Sequence, residues 1–147
     1  MVDHSIKQLE KDQANLHGKS LINSLNQENL LIAQQTANYE QLYEMQKKEA
    51  EELRQKLSPS GVNFDGNGAI TNYKAATAQA MATYANAINE YNSGALDEAG
   101  LNVAEKSYEN FKKALERYDK LYYSEMVDTQ DKIDDNNRKQ IANNLKG

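Results

Sequence analysis

A chain of 147 residues with 39% hydrophobic residues, two Phe and no Trp is long enough for one domain but lacks the side chains for a large compact core. Its net charge of -5 argues against a duplex nucleic-acid binder and against a basic helix on a membrane surface, since both need a basic face. The chain has no Cys for disulfide or thiol chemistry. It also has no apolar run approaching the length of a membrane span and no apolar signal-peptide core at its start. From the charge we expect no nucleic-acid recognition, and from the apolar runs we expect no membrane segment.

The first predicted helix covers residues 5–57, which are rich in the good helix formers Gln, Glu, Leu, Lys and Ala. At ~1.5 Å per residue this helix would be roughly 80 Å long. The sequence SPSG at 58–61 ends it, because Pro cannot continue a helix and Gly suits the backbone of a helix end. Its first half is poor in apolar residues, and its second half carries a usable apolar seam: Ile32, Tyr39, Leu42, Ala50, Leu53 and Leu57.

The segment NFDGNGAITNYK, residues 63–74, has part of the ligand spacing of an EF-hand calcium loop. Asp65 and Asn67 fall at the third and fifth positions and Gly68 at the sixth, but Lys74 occupies the last position, where a bidentate Glu belongs. The Lys ammonium and the single carboxylate favour a glycine-rich turn over a calcium site.

We therefore predict a small β-hairpin-like turn at 61–72, overlapping a connection that covers 58–71. The sequence DGNG at 65–68 supplies residues that tolerate the positive φ of a tight turn. Phe64 and Ile70 flank it like two strand stubs. Because an isolated hairpin is marginal in water, we expect these two side chains to cap the end of the helices.

Two further helices are predicted, at 72–91 and at 96–145, separated by the sequence NSG. The earlier one is rich in Ala, so that neighbouring backbones can approach it closely, and Tyr84 and Tyr91 stand on one line along it. The later one has apolar residues at alternating steps of three and four, which is a heptad seam. This seam weakens after its first part, which consists of Leu101, Ala104, Tyr108, Phe111, Leu115, Tyr118 and Tyr122.

These elements predict an all-α fold, an elongated antiparallel helical hairpin or three-helix coiled-coil bundle, in a single elongated domain over 1–147. The connections are short, so that consecutive helices are expected to lie antiparallel. The best seams coincide in the middle of the molecule, and the halves at 5–30 and 123–145 either pair with other chains or fray. The expected helix–helix interface residues are Tyr39, Leu42, Leu53, Tyr84, Tyr91, Tyr108, Phe111, Leu115, Tyr118 and Tyr122.

No other group of residues predicts a chemical site. His4 and His17 are too far apart to form a metal pair on one helix, which needs a spacing of three or four. The acidic residues at 128–135 share a face but are interleaved with Lys132 and Arg138, which is typical of a solvated surface. The acids are Asp128, Asp131, Asp134 and Asp135. We expect no enzyme activity, no catalytic residues, no cofactor and no bound metal.

The order of the segments is similar to a known pattern. A helix ending YEMQKKEAEELRQKLSPSG is followed by VNFDGNGAITNY, an Ala-rich helix ending AINEYNS, and the helix AEKSYENFKKALERYDKLYYSEMVDTQDKIDD. Over roughly residues 39–140 this resembles the coiled-coil segments of tape measure proteins, which lie in the tail lumen of tailed bacteriophages. The resemblance implies a structural rod that sets tail length, located in the virion tail after assembly in the bacterial cytoplasm, without catalytic residues.

Tape measure proteins are usually much longer, so we expect this chain to be a fragment of a longer rod, whose first and last predicted helices are unfinished. Three hypotheses remain open at this point. The chain is a self-associating rod segment of a phage tail, a coiled-coil adaptor of a bacterial surface or secretion system that binds a foreign helix, or a module that responds to divalent cations through the 63–74 loop or the acidic residues at 128–135.

Overall fold

The structure, a computed structural model, describes the backbone of residues 2–146 and the side chains of residues 8, 9 and 18–146. It confirms the predicted all-α class: within residues 2–146 there is no named strand, and the only β pairing is an isolated antiparallel bridge between Phe64 and Ile70. In chain order the elements are helix α1 (Val2–Leu57), a 3-10 turn (Ser58–Ser60), helix α2 (Tyr73–Asn92), helix α3 (Glu98–Lys120), a π-helical turn (Leu121–Glu125) and helix α4 (Met126–Lys146).

The last predicted helix, at 96–145, differs most from the structure. Its start is displaced to Glu98, because the carboxylate of Asp97 accepts a hydrogen bond from the Gly100 amide at 2.8 Å and so caps α3. A π-helical turn then separates α3 from α4. Leu121 and Met126 are both buried and are five residues apart, the spacing of one π turn, which a regular heptad does not place on one face.

The chain divides into two compact units. The first unit consists of residues 2–43 together with 129–146, and the second unit consists of residues 44–128.

In the first unit, α1 and α4 lie side by side and antiparallel. Asn29 of α1 contacts the C-terminal part of α4. The Asn29 Oδ1 accepts from Asn143 Nδ2 at 3.1 Å, and the Asn29 Nδ2 donates to Asn144 Oδ1 at 3.1 Å. Its carbonyl also accepts from Gln140 Nε2 at 3.2 Å. The seam between the helices is more polar than apolar. Its buried residues are Leu25, Ile32, Thr36, Thr129, Ile133, Asn136 and Asn143.

In the second unit, α2 packs on α3. Small buried residues, Ala76 and Ala87, let the α2 backbone approach closely, and the rings of Tyr84 and Tyr108 stack with their centroids 5.1 Å apart. The end of α1 and the first loop residues add the buried side chains Ala50, Leu57 and Val62.

An ion-pair network ties α3 to α1 within the second unit. The Arg117 guanidinium donates to both carboxylate oxygens of Glu49, at 2.7 and 2.9 Å, and contacts Glu125 at 2.9 Å. The hydrogen bond from Arg117 lowers the pKa of the Glu49 carboxyl. The pair therefore stabilises the fold above the unfolded pKa of Glu49, and this contribution is lost as the pH falls through the lowered pKa. Both side chains are partly exposed, which keeps the contribution small.

None of the helices within residues 2–146 is both long enough and apolar enough to cross a membrane.

Candidate functional site: the loop between α1 and α2

The loop at 61–72 closes on itself through main-chain hydrogen bonds. The Thr71 amide donates to the Asn63 carbonyl at 2.9 Å, and the Asp65 amide donates to the Ala69 carbonyl at 2.9 Å. Gly68 donates to the Asp65 carbonyl at 3.1 Å and has a φ of 92°. Gly61 and Gly68 are the loop residues with a positive φ; Gly66 and the Asp and Asn residues of the DGNG sequence have none.

The side chain of Asn72 joins the two ends of this loop. Its Oδ1 accepts from the Asn63 amide at 2.8 Å, and its Nδ2 donates to the Gly61 carbonyl at 2.8 Å. Asn72 also precedes α2, but its side chain makes no capping bond there. The residue therefore fixes the loop rather than the helix end.

The Asp65 carboxylate is engaged within the loop. Its Oδ1 accepts from the amides of Asn67 and Ala69, both at 2.9 Å. These bonds hold the tip of the turn, as Asp side chains commonly do. They give Asp65 a structural role that needs no bound cation.

Three tyrosines of α3 and the π turn hold the loop by its main chain. We call Tyr118, Tyr122 and Tyr123 the tyrosine cluster. The Tyr118 hydroxyl donates to the Gly68 carbonyl, and the Tyr122 hydroxyl donates to the Asn67 carbonyl at 2.6 Å. The Tyr123 hydroxyl accepts from the Ile70 amide at 3.0 Å. Each such bond contributes on the order of 1 kcal/mol to stability.

Aromatic contacts support the same arrangement. Phe64 meets Tyr118 edge-on with ring centroids 5.1 Å apart, and Tyr122 stacks on Tyr118 at 5.5 Å. Tyr122 and Tyr123 are also edge-to-face at 4.9 Å. Two adjacent tyrosines can both reach the loop here because they lie inside the π turn, which widens the helix at this point.

Tyr118 is the centre of the site. Its side chain is fully buried, and burial raises the pKa of its hydroxyl, an effect that the neighbouring Arg54 guanidinium partly opposes. Arg54 Nη1 donates to the Tyr118 oxygen at 3.1 Å, and Arg54 also pairs with Glu51 at 2.5 Å. Burial therefore favours the neutral Tyr118 hydroxyl, which donates to the Gly68 carbonyl.

Gly68 sits where no larger residue fits easily. A Cβ at this position would lie 2.8 Å from Arg54 Nη1, 3.2 Å from the Tyr118 oxygen and 3.3 Å from a Tyr122 ring carbon. The close approach and the positive φ both require glycine.

The structure places the expected interface residues in different surroundings. Leu115 and Tyr118 are buried, and Tyr84 stacks on Tyr108. Leu42 and Tyr91 are 43% and 41% exposed. Leu42 lies beside the line of inward-facing α1 residues, and Tyr91 lies in the last turn of α2. The remaining expected residues are half-buried: Tyr39, Leu53, Phe111 and Tyr122.

Sequence reasoning did not identify Tyr123, Arg54 or Asn72 as parts of the site. The adjacent pair Tyr122 and Tyr123 was a usable signal, because adjacent residues point in different directions on an α-helix. Arg54 stands among many charged residues of α1 and carried no such signal.

A groove of about 400 Å³ lies between α1, α2 and α3 in the second unit. The stacked pair Tyr84 and Tyr108 lines it together with Phe111, and small residues such as Ala80 and Ala104 leave it open.

Two further groups of residues were candidates for metal binding, the two His residues and the acidic residues at 128–135. The side chains of His4 and His17 lie outside the described residues. Among the described side chains, no three acidic or His residues come together as a metal-binding group. Asp134 accepts from Gln130 at 3.1 Å, and Asp135 pairs with Arg138 at 3.0 Å.

No protein-family model, curated protein or solved structure matches this chain.

Proposed function

We propose that the chain is a structural coiled-coil segment that acts through its length and through association of its helices with further helices. One observation carries the proposal: among its described side chains, the first unit leaves more large aliphatic residues in water than it buries. Leu30 and Leu31 are each 60% exposed and Leu145 is 85% exposed. The others are Leu9, Leu21, Ile22, Leu42 and Ile141.

The polar seam of the first unit supports the same proposal. Full burial of a Leu or Ile side chain contributes about 1.5–3 kcal/mol, and few such side chains are buried between α1 and α4. Two helices that contact each other through Asn and Thr side chains gain little free energy from apolar burial. A further helix that covered their exposed aliphatic side chains would therefore stabilise them.

The second unit has the features of a firm spacer. We propose that α1 from residue 44 onward, α2 and α3 form a three-helix bundle, and that the hairpin-like turn at 61–72 caps one end of it. The packing of α2 on α3, the Arg117–Glu49 pair and the tyrosine cluster support this arrangement.

The resemblance to tape measure proteins suggests the setting: a segment of a phage tail rod, assembled in the bacterial cytoplasm and located in the virion tail. Its supports are the segment order described above and the long α1.

Sedimentation of the purified chain across a wide concentration range, with and without calcium, tests the proposal. Reversible oligomers that are indifferent to calcium are the expected result. A chain that stays monomeric at every concentration contradicts self-association by this segment. A calcium-dependent change of mass contradicts the structural role assigned to Asp65.

A coiled-coil adaptor for a foreign helix is the second candidate. Exposed apolar residues on α2 and α3 of the second unit favour it, namely Met81, Ile88 and Val103. A chain that is monomeric alone but gains helix-dependent affinity for a heterologous coiled coil would support this function over the first.

A further inference from the structure

The outer face of α4 carries a second line of residues at heptad spacing. We define this face as Asp131, Asp134, Arg138, Ile141 and Leu145, which recur at steps of three and four. The seam with α1 uses other residues of the same helix, including Thr129, Ile133, Asn136 and Asn143. At 3.6 residues per turn the two lines lie on opposite sides of α4.

Four of the five residues of this outer face are exposed, and Asp134 is half-buried and accepts a hydrogen bond from Gln130 Nε2 at 3.1 Å. Ile141 is 60% exposed, and the side chain of Arg138 is 76% exposed. A face that lies away from α1 and repeats at coiled-coil spacing suits contact with another helix.

The charges along α4 are ordered. Acidic residues come first, Asp131, Asp134 and Asp135, and basic residues follow, Arg138, Lys139 and Lys146. Lys132 is the exception to this order, and its Nζ lies 5.5 Å from the centroid of the Tyr39 ring on α1. On the outer face itself the charges run from Asp131 and Asp134 to Arg138, from negative to positive.

We propose that the outer face of α4 is an isologous contact for a second copy of this chain, with the two α4 helices antiparallel. An antiparallel copy sets the half of the face that holds Asp131 and Asp134 against the half that holds Arg138, whereas a parallel copy sets like charges together. When the two-fold axis passes the helices at the level of residue 136, Asp134 faces Arg138 of the second copy. By symmetry, Arg138 then faces Asp134 of the second copy.

Leu145 adds an apolar contact to these ion pairs. With the same axis it faces Val127 of the second copy, which is 49% exposed, while Ile141 faces Asp131. The inference rests on the proposed function and assigns its partner and its contact surface.

Charge exchange between Asp134 and Arg138 tests the arrangement. Asp134→Arg makes both positions basic, and Arg138→Asp makes both acidic. Each single variant is expected to weaken self-association at least about tenfold, because every contact then holds two repulsive pairs. A mixture of the two variants restores both pairs, so that a one-to-one heterodimer is expected. The double variant Asp134→Arg with Arg138→Asp is expected to associate with itself as the parent chain does.

Sedimentation velocity at low salt, repeated at high salt, measures these outcomes, because the ion pairs are screened as the salt concentration rises. Asp119→Arg is the matched control, since it makes the same charge change at an exposed position of α3. Circular dichroism of each variant checks that helix content is unchanged.

The results separate the two proposals. Oligomers that form equally well in the parent chain and in both single variants overturn the outer face as the contact and leave self-association standing. Single variants that are weakened but do not recover in the mixture overturn the antiparallel pairing. A parent chain that is monomeric throughout overturns both proposals.

Discussion

Gly68 shows how a single residue position can fix a loop. Its φ of 92° is costly for any residue with a Cβ, and its carbonyl accepts from the buried Tyr118 hydroxyl. Arg54 is the nearest obstacle to an added methyl group, and its flexible end can move away. The backbone conformation and the two tyrosines cannot adjust as easily.

We predict that Gly68→Ala lowers the free energy of unfolding by about 1–2 kcal/mol, since an L-residue at positive φ costs about that much. Urea unfolding followed by circular dichroism measures the change. Gly66→Ala is the control, because Gly66 has no positive φ and nothing lies within 4 Å of its added Cβ. An equal loss in both variants would contradict the role of Gly68.

At the scale of the elements, propensity and heptad spacing were enough to predict the helices, and they were not enough to predict the π turn. The pattern through Tyr118 and Tyr122 predicted a continuous seam, but the structure buries Leu121 more fully than Tyr122, and the next buried residue, Met126, lies five residues after Leu121. A five-residue step has no place in a heptad, so that spacing alone could not reveal it. The sequence DGNG predicted a glycine-rich turn, while the tyrosine cluster that holds the loop depends on long-range contacts that no local pattern encodes.

The buried Asn136 between α1 and α4 allows a prediction about the stability of the first unit. Asn136 is buried, and its Nδ2 has no hydrogen-bond partner among the described residues. We predict that Asn136→Leu stabilises the pairing of α1 with α4 by about 1 kcal/mol or more, because it removes an unmet donor and adds apolar burial. Hydrogen exchange of the amides at 129–146 measures this. Asn137→Leu, at the exposed neighbouring position, serves as the control and should leave their protection unchanged.

At the scale of the whole molecule, the sequence predicted one elongated domain, and the contacts group the chain into two compact units. Both units use helices, so that secondary structure gave no hint of the division. Their interiors differ: the second unit buries Tyr118, Leu121 and Leu57 almost completely, while the first buries Asn and Thr side chains. The sequence contains one indication of this difference, because the first half of α1 has few apolar residues.

We predict that the two units open independently, because local stability follows the buried apolar contacts of each region. Amides at 18–43 and 129–146 should exchange with solvent faster than those at 44–57 and 98–120 in the dilute chain. Hydrogen exchange followed by mass spectrometry resolves these segments. Uniform protection along the chain would mean that the units unfold together.

The tyrosine cluster has a consequence for how this protein can change over evolutionary time. Its hydroxyl groups contact main-chain atoms of Asn67, Gly68 and Ile70, and main-chain atoms are the same whatever the side chain. An exposed side chain of the loop such as that of Asn67 can therefore change while its attachment persists. Selection would act on the tyrosines, on Asp65 and Asn72 and on the two loop glycines with positive φ, leaving the remaining exposed side chains of the loop as the part of this molecule most able to acquire new specificity.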